Sequence, residues 1–161
     1  MKTAIIFATK HGTTAQIAQM LADQLGSSGQ TTLINLCIDT DPSIEEYDRI
    51  ILGTPVYAGK PLKFMSRFCS KNLAALLSKP LYLFAGGMEV TNERQAEELL
   101  SAFAPELHSH ASGAWFLGGA FNLEKMSFME RFIVKRISKT TQSVTAIKQR
   151  AIRQMADNLN K

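Results

Sequence analysis

The fold is decided by the stretch AIIFATKHGTT, residues 4–14. Its first five residues form an apolar run typical of a buried strand, and the last six form a hydroxyl-rich turn with one glycine. A helical pattern follows, because apolar residues recur at Ile17, Met20, Leu21 and Leu25. A strand, a short turn and a helix N-terminus together direct backbone N–H groups toward one point, where an anion can bind.

The turn carries the groups that a phosphate requires. Its residues are Thr9, Lys10, His11, Gly12, Thr13 and Thr14. Gly12 permits a positive φ or a close approach to a ligand, and the threonine hydroxyls can donate to phosphate oxygens. Thr13 and Gln16 also match a capping box, which predicts a helix start. We interpret the turn as a phosphate cradle; an ordinary capped strand-to-helix turn is the alternative.

Length and composition predict one domain over residues 1–161. The chain is 45% hydrophobic, enough for a full-sized core. It contains no apolar run that could span a bilayer, and no signal-peptide pattern precedes the first strand, so we expect a cytoplasmic protein. Cys37 and Cys69 form neither a CxxC motif nor a metal spacing, so they are expected to be reduced packing residues.

Strand and helix patterns alternate along the rest of the chain. Further strands are predicted at 31–38, 49–54, 81–85 and 114–117. Helices are predicted over 92–103 and 143–159 and from Pro61 through Leu73, ending before Pro80, with Pro61 in a first helical turn. This alternation indicates an α/β fold, a doubly wound five-stranded parallel sheet in three α/β/α layers.

Ligands of such sheets bind beyond the carboxyl ends of the strands. Two loops there join the cradle as predicted site segments. Their residues are Thr54, Pro55, Val56, Tyr57, Ala58 and Gly59 after the third strand, and Ala85, Gly86, Gly87 and Met88 after the fourth. The first loop offers an aromatic ring among small residues, and the second offers bare backbone. A planar ring could lie between them.

Other site chemistries lack their residues. No GxGxxG follows the first strand, which argues against a dinucleotide-binding fingerprint. Residues 53–61 resemble a Walker A loop only loosely, because Lys60 is followed by Pro61, which leaves no hydroxyl for magnesium. No Ser-His-Asp set or metal-ligand cluster is present, and His108 and His110 are expected at the surface. We therefore predict no metal and no catalytic side chain.

The motif Thr9-x-x-Gly12-x-Thr14, with Tyr57 and the Gly86-Gly87 loop, resembles the flavodoxin superfamily over residues 1–122. The resemblance implies a flavodoxin-like fold that binds FMN. Residues 9–14 would hold the phosphate, Tyr57 would stack on the flavin, and the backbone at Gly86 and Gly87 would tune the ring. His11 stands where the superfamily has a threonine, so an imidazole replaces one phosphate donor; a solvent-facing turn residue is the alternative.

The C-terminal end contains a helix that the fold does not require. Residues 126–138 pair aromatic and aliphatic side chains with cations, in a segment from 124 onward that carries nine basic residues against three acidic ones. We expect this surplus helix to contact an anionic membrane through Lys135, Arg136 and Lys139, or a partner; a helix packed on the core is the alternative.

The motif Phe128-x-x-Arg131-Phe132-x-x-Lys135 is similar to the corresponding region of the menaquinone-dependent protoporphyrinogen dehydrogenases, although residues 121–125 lack the expected aromatic and arginine-rich character. The resemblance implies an FMN-dependent oxidoreductase, with electron transfer to a quinone or from protoporphyrinogen. The alternatives are an electron carrier that docks to protein redox partners, and a flavin-free interaction module. No nucleic-acid partner is expected.

Charge in the predicted flavin loops also bears on redox behaviour. The loops carry Lys10 and Lys60, with Glu89 as the only acid. A cation stabilises a reduced, anionic flavin, so we predict a higher potential than that of acidic carrier flavodoxins.

Overall fold

A computed structural model describes residues 1–26, 29–121, 127, 130, 132 and 144–161. The strands are β1 (Lys2–Phe7), β2 (Gln30–Asn35), β3 (Arg49–Tyr57), β4 (Lys60–Pro61), β5 (Leu81–Gly86), β6 (Gly113–Phe116), β7 (Ala120–Phe121) and β8 (Val144–Thr145). The helices are α1 (Thr13–Leu25), α2 (Lys63–Lys71), α3 (Leu73–Leu76), α4 (Asn92–Ala102), α5 (Pro105–His110) and α6 (Gln149–Leu159).

Five parallel strands form the sheet in the order β2-β1-β3-β5-β6, which confirms the predicted fold class. Strand order reverses at β1 and β3, whose carboxyl ends are therefore the expected ligand edge. The short β4 adds to this sheet by pairing antiparallel with β3. Strands β7 and β8 form a separate antiparallel pair.

The core has two halves, one on each face of the sheet. On β3, Ile50 and Leu52 pack on the half that α2 covers, whereas Ile51 packs on the opposite half with α1 and α6. All three side chains are fully buried, as period-2 alternation in a strand covered on both faces requires. The sheet therefore has helices on both sides.

Several predicted element boundaries were wrong. Strand β2, predicted to reach residue 38, ends at Asn35. Strand β3 continues to Tyr57, where a two-residue turn at Ala58 and Gly59 leads into β4. Both turn residues have positive φ (49° and 73°), the geometry that matches strand twist in tight hairpins. Pro61 consequently lies in β4, and the following helix begins at Lys63. Near the C-terminus, residues 144–145 pair with β7, so the last helix begins at Gln149 and not at 143.

The histidine and cysteine predictions have different outcomes. His110 is exposed, but His108 is half-buried with its ring edge-on to Phe103 at a centroid distance of 6.0 Å. Cys37 and Cys69 are both free thiols. Burial raises the pKa of Cys69 to about 12, in keeping with a packing role.

The predicted helix over 126–138, including Lys135, Arg136 and Lys139, lies largely outside the described residues. Of that segment, Ser127, Glu130 and Phe132 are described, and the last two are helical. Phe132 is 58% exposed. Within the described ranges, no helix has the length and apolarity needed to cross a membrane.

Candidate functional site

Hydrogen bonds from backbone N–H groups fix the turn between β1 and α1. The N–H of Ala8 donates to the Gly53 carbonyl (3.0 Å), which extends the β1–β3 pairing by one residue. Gly12 then adopts φ 87°, and its N–H donates to Oγ1 of Thr9 (3.0 Å). Helix α1 begins at Thr13 with Gly12 as its N-cap, so Thr13 is not the capping residue that the sequence predicted.

The resulting loop encloses a concave backbone surface. The first N–H groups of a helix have no carbonyl partner within it, so the start of α1 directs free donors outward. Thr14 is buried at this start. From outside the loop, the Cys37 thiol donates to the carbonyl of Thr9 (3.2 Å) and so braces it against the connection after β2.

Lys10 and His11 share one anionic partner from far along the chain. Nε2 of His11 lies 3.2 Å from Oε2 of Glu130, and Nζ of Lys10 contacts the other carboxylate oxygen. The hydrogen bond from Lys10 lowers the pKa of Glu130, as do the Ser127 backbone and His11 to smaller extents. Two side chains of the predicted phosphate cradle therefore already hold a carboxylate.

Glu130 is oriented by its own local structure. The Ser127 N–H donates to Oε2 of Glu130 (3.1 Å), and the Glu130 N–H lies 3.3 Å from Oγ of Ser127. This reciprocal pair is a capping box, three residues apart, at a helix start. The spacing of Ser127 and Glu130 is visible in the sequence, but the contact of Glu130 with Lys10 and His11 was not predicted.

Tyr57 lies at the tip of the β3–β4 hairpin and is 42% exposed. Nζ of Lys10 lies 5.9 Å from the centroid of its ring. Partial burial, together with the Glu130 carboxylate, raises the pKa of Tyr57 to about 12, so the phenol stays neutral. Thr54 supports the hairpin from below: it is fully buried, and its hydroxyl accepts a hydrogen bond from the Leu62 N–H (3.3 Å).

Two glycine pairs bring the loops after β5 and β6 into direct backbone contact. The Gly87 N–H donates to the Gly118 carbonyl (3.1 Å), and a Cβ on Gly86 would lie 3.0 Å from that same oxygen. A Cβ on Gly119 would lie 2.9 Å from the Gly87 carbonyl. Because side chains would not fit, only glycine allows this approach. The sequence analysis did not single out Gly118 and Gly119, although they follow β6 closely, just as Gly86 and Gly87 lie at the end of β5.

A cavity of about 770 Å³ joins these loops at the carboxyl edge of the sheet. The predicted site residues that line it are Thr9, His11, Thr13, Thr14, Pro55, Val56, Tyr57, Ala58, Gly59, Gly86, Gly87 and Met88. Four predicted residues do not line it: Lys10, Gly12, Thr54 and Ala85. The cavity also has lining residues that the sequence analysis did not propose, namely Ile17, Glu89, Val90, Arg94, Glu97, Glu98, Ser101, Gly118, Gly119 and Ala120.

One wall of the cavity is a polar stripe on α4. Arg94, Glu97, Glu98 and Ser101 follow the spacing i, i+3, i+4 and i+7, which places them on one helix face. Glu89 is the only acid in the predicted loops themselves, but α4 adds Glu97 and Glu98 to the cavity lining, two acids that the sequence analysis did not consider. The helical spacing was visible in the sequence, but only the tertiary structure directs that face toward the loops.

The cavity fits a flat ligand that ends in a phosphate. Its volume lies within the roughly 300–1,000 Å³ of small-molecule sites. Its lining combines residues at the start of α1 with Tyr57 and with Gly86 and Gly87, whose bare backbone offers a flat surface for a ring. These are the features that the sequence predicted for a phosphate cradle and a ring site.

The chain is similar to known proteins over most of its length. The family model described as "Flavodoxin domain" matches residues 4–148. A protoporphyrinogen IX dehydrogenase [quinone] from Escherichia coli (strain K12) is 25% identical over 146 residues, which cover 86% of this chain and 80% of that protein.

Two solved structures share the fold at low identity. Smu.1420 from Streptococcus mutans UA159 has a TM-score of 0.60 at 13% identity, with 98% of this chain and 100% of that chain covered. A short-chain flavodoxin associated with a non-canonical PDU bacterial microcompartment has a TM-score of 0.56 at 12% identity, with 99% and 97% covered. The chain therefore belongs to the flavodoxin domain family, and this membership supports FMN as its cofactor.

Proposed function

We propose that this flavodoxin domain is an FMN-dependent oxidoreductase that passes electrons to a quinone. The observation that carries the proposal is the single cavity that joins the start of α1, Tyr57 and the Gly86-Gly87 loop, and then continues along α4. FMN, when bound, accepts an electron pair from one molecule and delivers it to another. The α4 wall provides a surface for that second molecule beside the flavin.

The cradle would hold the FMN phosphate. Backbone N–H groups at the start of α1 and the hydroxyls of Thr9, Thr13 and Thr14 are its donors, and the positive φ of Gly12 keeps the turn open. Lys10 contributes positive charge to the cradle, which Glu130 partly offsets, and His11 also contacts Glu130. Since charge at a helix N-terminus favours anions, the cradle would bind the phosphate end before any specific ring contact matters.

The ring would lie against the hairpin and the glycine loops. Tyr57 would stack on it, with Pro55, Val56, Ala58 and Gly59 around the same hairpin. The backbone at Gly86 and Gly87, and the side chain of Met88, would border the other side. Thr54 and Ala85 would act indirectly: they are buried beneath these loops and position them.

The substrates are proposed by similarity to the Escherichia coli relative. Its name specifies protoporphyrinogen IX and a quinone. We propose a quinone as electron acceptor and protoporphyrinogen as the donor to test first. Arg94, in the α4 wall, is the lining cation that could contact an acidic group of such a donor.

An electron carrier without its own substrate is the second candidate. Apolar side chains are exposed at the cavity rim, with Tyr57 at 42% and Val90 at 85%. An exposed apolar rim around a redox site suits transient docking of a protein partner. A carrier should reduce quinones only slowly and without saturation.

Flavin binding is tested with Gly12→Asp and a matched control. Asp at position 12 should abolish FMN binding, because it adds a negative charge where the phosphate would sit and strains a residue at φ 87°. Gly26→Asp adds the same charge at a positive φ of 61°, but at the other end of α1. FMN titration by fluorescence quenching should show tight binding by wild type and by Gly26→Asp, and no binding by Gly12→Asp. Equal affinity in both variants would refute the cradle.

Turnover separates enzyme from carrier. The FMN-loaded protein should oxidise protoporphyrinogen IX through many cycles with menaquinone as acceptor, and Tyr57→Ala should lower kcat/KM through loss of ring stacking. Arg94→Ala should raise KM for protoporphyrinogen and leave kcat for reduction of menaquinone by a chemical donor unchanged. Slow, non-saturating transfer to menaquinone would favour the carrier.

We also propose that the basic segment contacts anionic membranes. The exposed Phe132 and the cations at Lys135, Arg136 and Lys139 support this contact. Replacing the three cations with Glu should release the protein from phosphatidylglycerol vesicles in sedimentation assays. The matched control replaces Lys63, Arg67 and Lys161, which are exposed elsewhere. Equal release by both sets, or no binding by wild type, would refute the proposal.

A further inference from the structure

Glu98 has a position that the proposed FMN contacts leave unexplained. It lines the cavity from α4, and its Oε2 atom is buried without a hydrogen-bond partner in the described part of the chain. That oxygen lies against the loop after β5, since a Cβ on Gly87 would be only 2.2 Å from it. An unpaired buried carboxylate oxygen is costly, whereas the neutral acid is tolerated more easily.

The packing around Oε2 explains why this atom has no hydrogen-bond partner among the described residues. The ring of Phe116 lies 3.1 Å from the same Cβ position on Gly87, so an apolar group borders Glu98 on that side. Nearby, Gln95 donates to the Glu89 carbonyl (2.7 Å) and accepts from Nζ of Lys148. The lysine is thereby engaged with Gln95 and with the face of the Phe116 ring, 5.3 Å from its centroid.

We propose that Glu98 is the proton-exchanging residue of the FMN site: it binds a proton when FMN is reduced and releases it when FMN is reoxidised. This inference rests on the proposed function. Reduction of bound FMN would take an electron pair from the donor, such as protoporphyrinogen, and one proton for the flavin itself; a second proton, from solvent, would convert the Glu98 carboxylate to the neutral acid. On reoxidation the electrons leave to the acceptor, and Glu98 returns its proton to solvent. Negative charge added at the flavin therefore gains a compensating proton in the same cavity.

The groups around Glu98 set the pH range over which it should exchange a proton. Burial, together with the nearby charge of Glu89, raises the pKa of Glu98 to about 7. Around the cavity, α4 also presents Arg94 and Glu97, and the hairpin packed against α4 carries Tyr57 and Lys60. With Lys148 engaged as described, electron density added nearby should raise the pKa of Glu98 again. Proton uptake upon reduction is thus expected at and above about pH 7.

The test measures the FMN midpoint potential against pH by spectroelectrochemistry. The slope of midpoint potential against pH reports the number of protons taken up per electron pair. Above pH 7, wild type should take up as much as one more proton than Glu98→Gln, and below pH 7 the slopes of the two proteins should converge. The matched control is Glu97→Gln, which removes an exposed carboxyl one residue away on the same helix. Equal slopes in wild type and Glu98→Gln, or the same loss in Glu97→Gln, would overturn the proposal.

Infrared difference spectra provide a second measurement. Reduction of wild type above pH 7 should produce a carboxylic acid C=O band that shifts in D₂O and is missing in Glu98→Gln. If Glu98→Gln folds poorly, Glu98→Asp should move the band and the extra slope without removing either. A band that persists unchanged in both variants overturns the assignment. Failure of wild type to retain FMN would refute the proposed function itself, whereas retained FMN with equal slopes refutes the role of Glu98 alone.

Discussion

The carboxylate of Glu130 lies 3.2 Å from Nε2 of His11 and contacts Nζ of Lys10, although the two segments are more than a hundred residues apart in the chain. An acid from the C-terminal segment thus interacts with two side chains of the predicted phosphate cradle. Like charges repel, so Glu130 and the FMN phosphate should compete for this positive charge.

Glu130→Gln should therefore bind FMN more tightly than wild type. An exposed charge pair is worth about 0.2–1 kcal/mol, so a gain of up to about fivefold is expected at low salt and less at high salt. Fluorescence titration at two ionic strengths measures it. Ser127→Ala, which breaks the capping box but keeps the charge, is the control and should gain less. Weaker FMN binding by Glu130→Gln would mean that Glu130 supports the cradle.

Protonation of Glu98 should make the stability of the FMN-free protein depend on pH. Its pKa rises from 4.5 to about 7 on folding, so the native state binds more protons than the unfolded state between these values. The stabilisation is complete below about pH 4.5 and is lost as pH rises through about 7. Urea unfolding should show wild type losing stability relative to Glu98→Gln across this window. Parallel pH profiles of the two proteins would contradict the raised pKa.

The two thiols should differ in reactivity. Cys69 is buried with a pKa of about 12, so it should resist iodoacetamide in the native protein. Cys37 is half-buried, and its alkylation should disrupt the contact with the Thr9 carbonyl and weaken FMN binding. Mass spectrometry locates the label, with Cys37→Ala as the control. Preferential labelling of Cys69 would contradict the packing described here.

Gly53→Ala should destabilise the centre of the sheet. A Cβ at this position on β3 would lie 2.0 Å from the Phe84 ring, so the ring must move within a filled core. Overpacking of this kind costs about 1–3 kcal/mol in the free energy of unfolding. Urea denaturation measures the loss, and Phe84→Leu in the same chain should recover part of it. Additive losses in the double variant would argue against this contact.

The order of layers was readable from the sequence, and the proposed cradle was found there too, because both depend on local pattern. Runs such as Ile50-Ile51-Leu52 carry the signal of a strand buried on both faces, and such strands alternated with helical patterns along the chain. Gly12, next to a helix start, is likewise a local signal. The parallel sheet that these patterns predicted is the one observed.

Local patterns were thus enough to predict the layer order and the loops at the ligand edge. The contact of Glu98 with Gly87, the hydrogen bond from the Gly87 N–H to the Gly118 carbonyl and the contact of Glu130 with His11 depend instead on how distant segments pack. The difference lies in the range over which each kind of interaction acts. Periodicity and turn chemistry act within a few residues, whereas burial of a carboxyl and pairing of distant charges arise only when separate elements pack together.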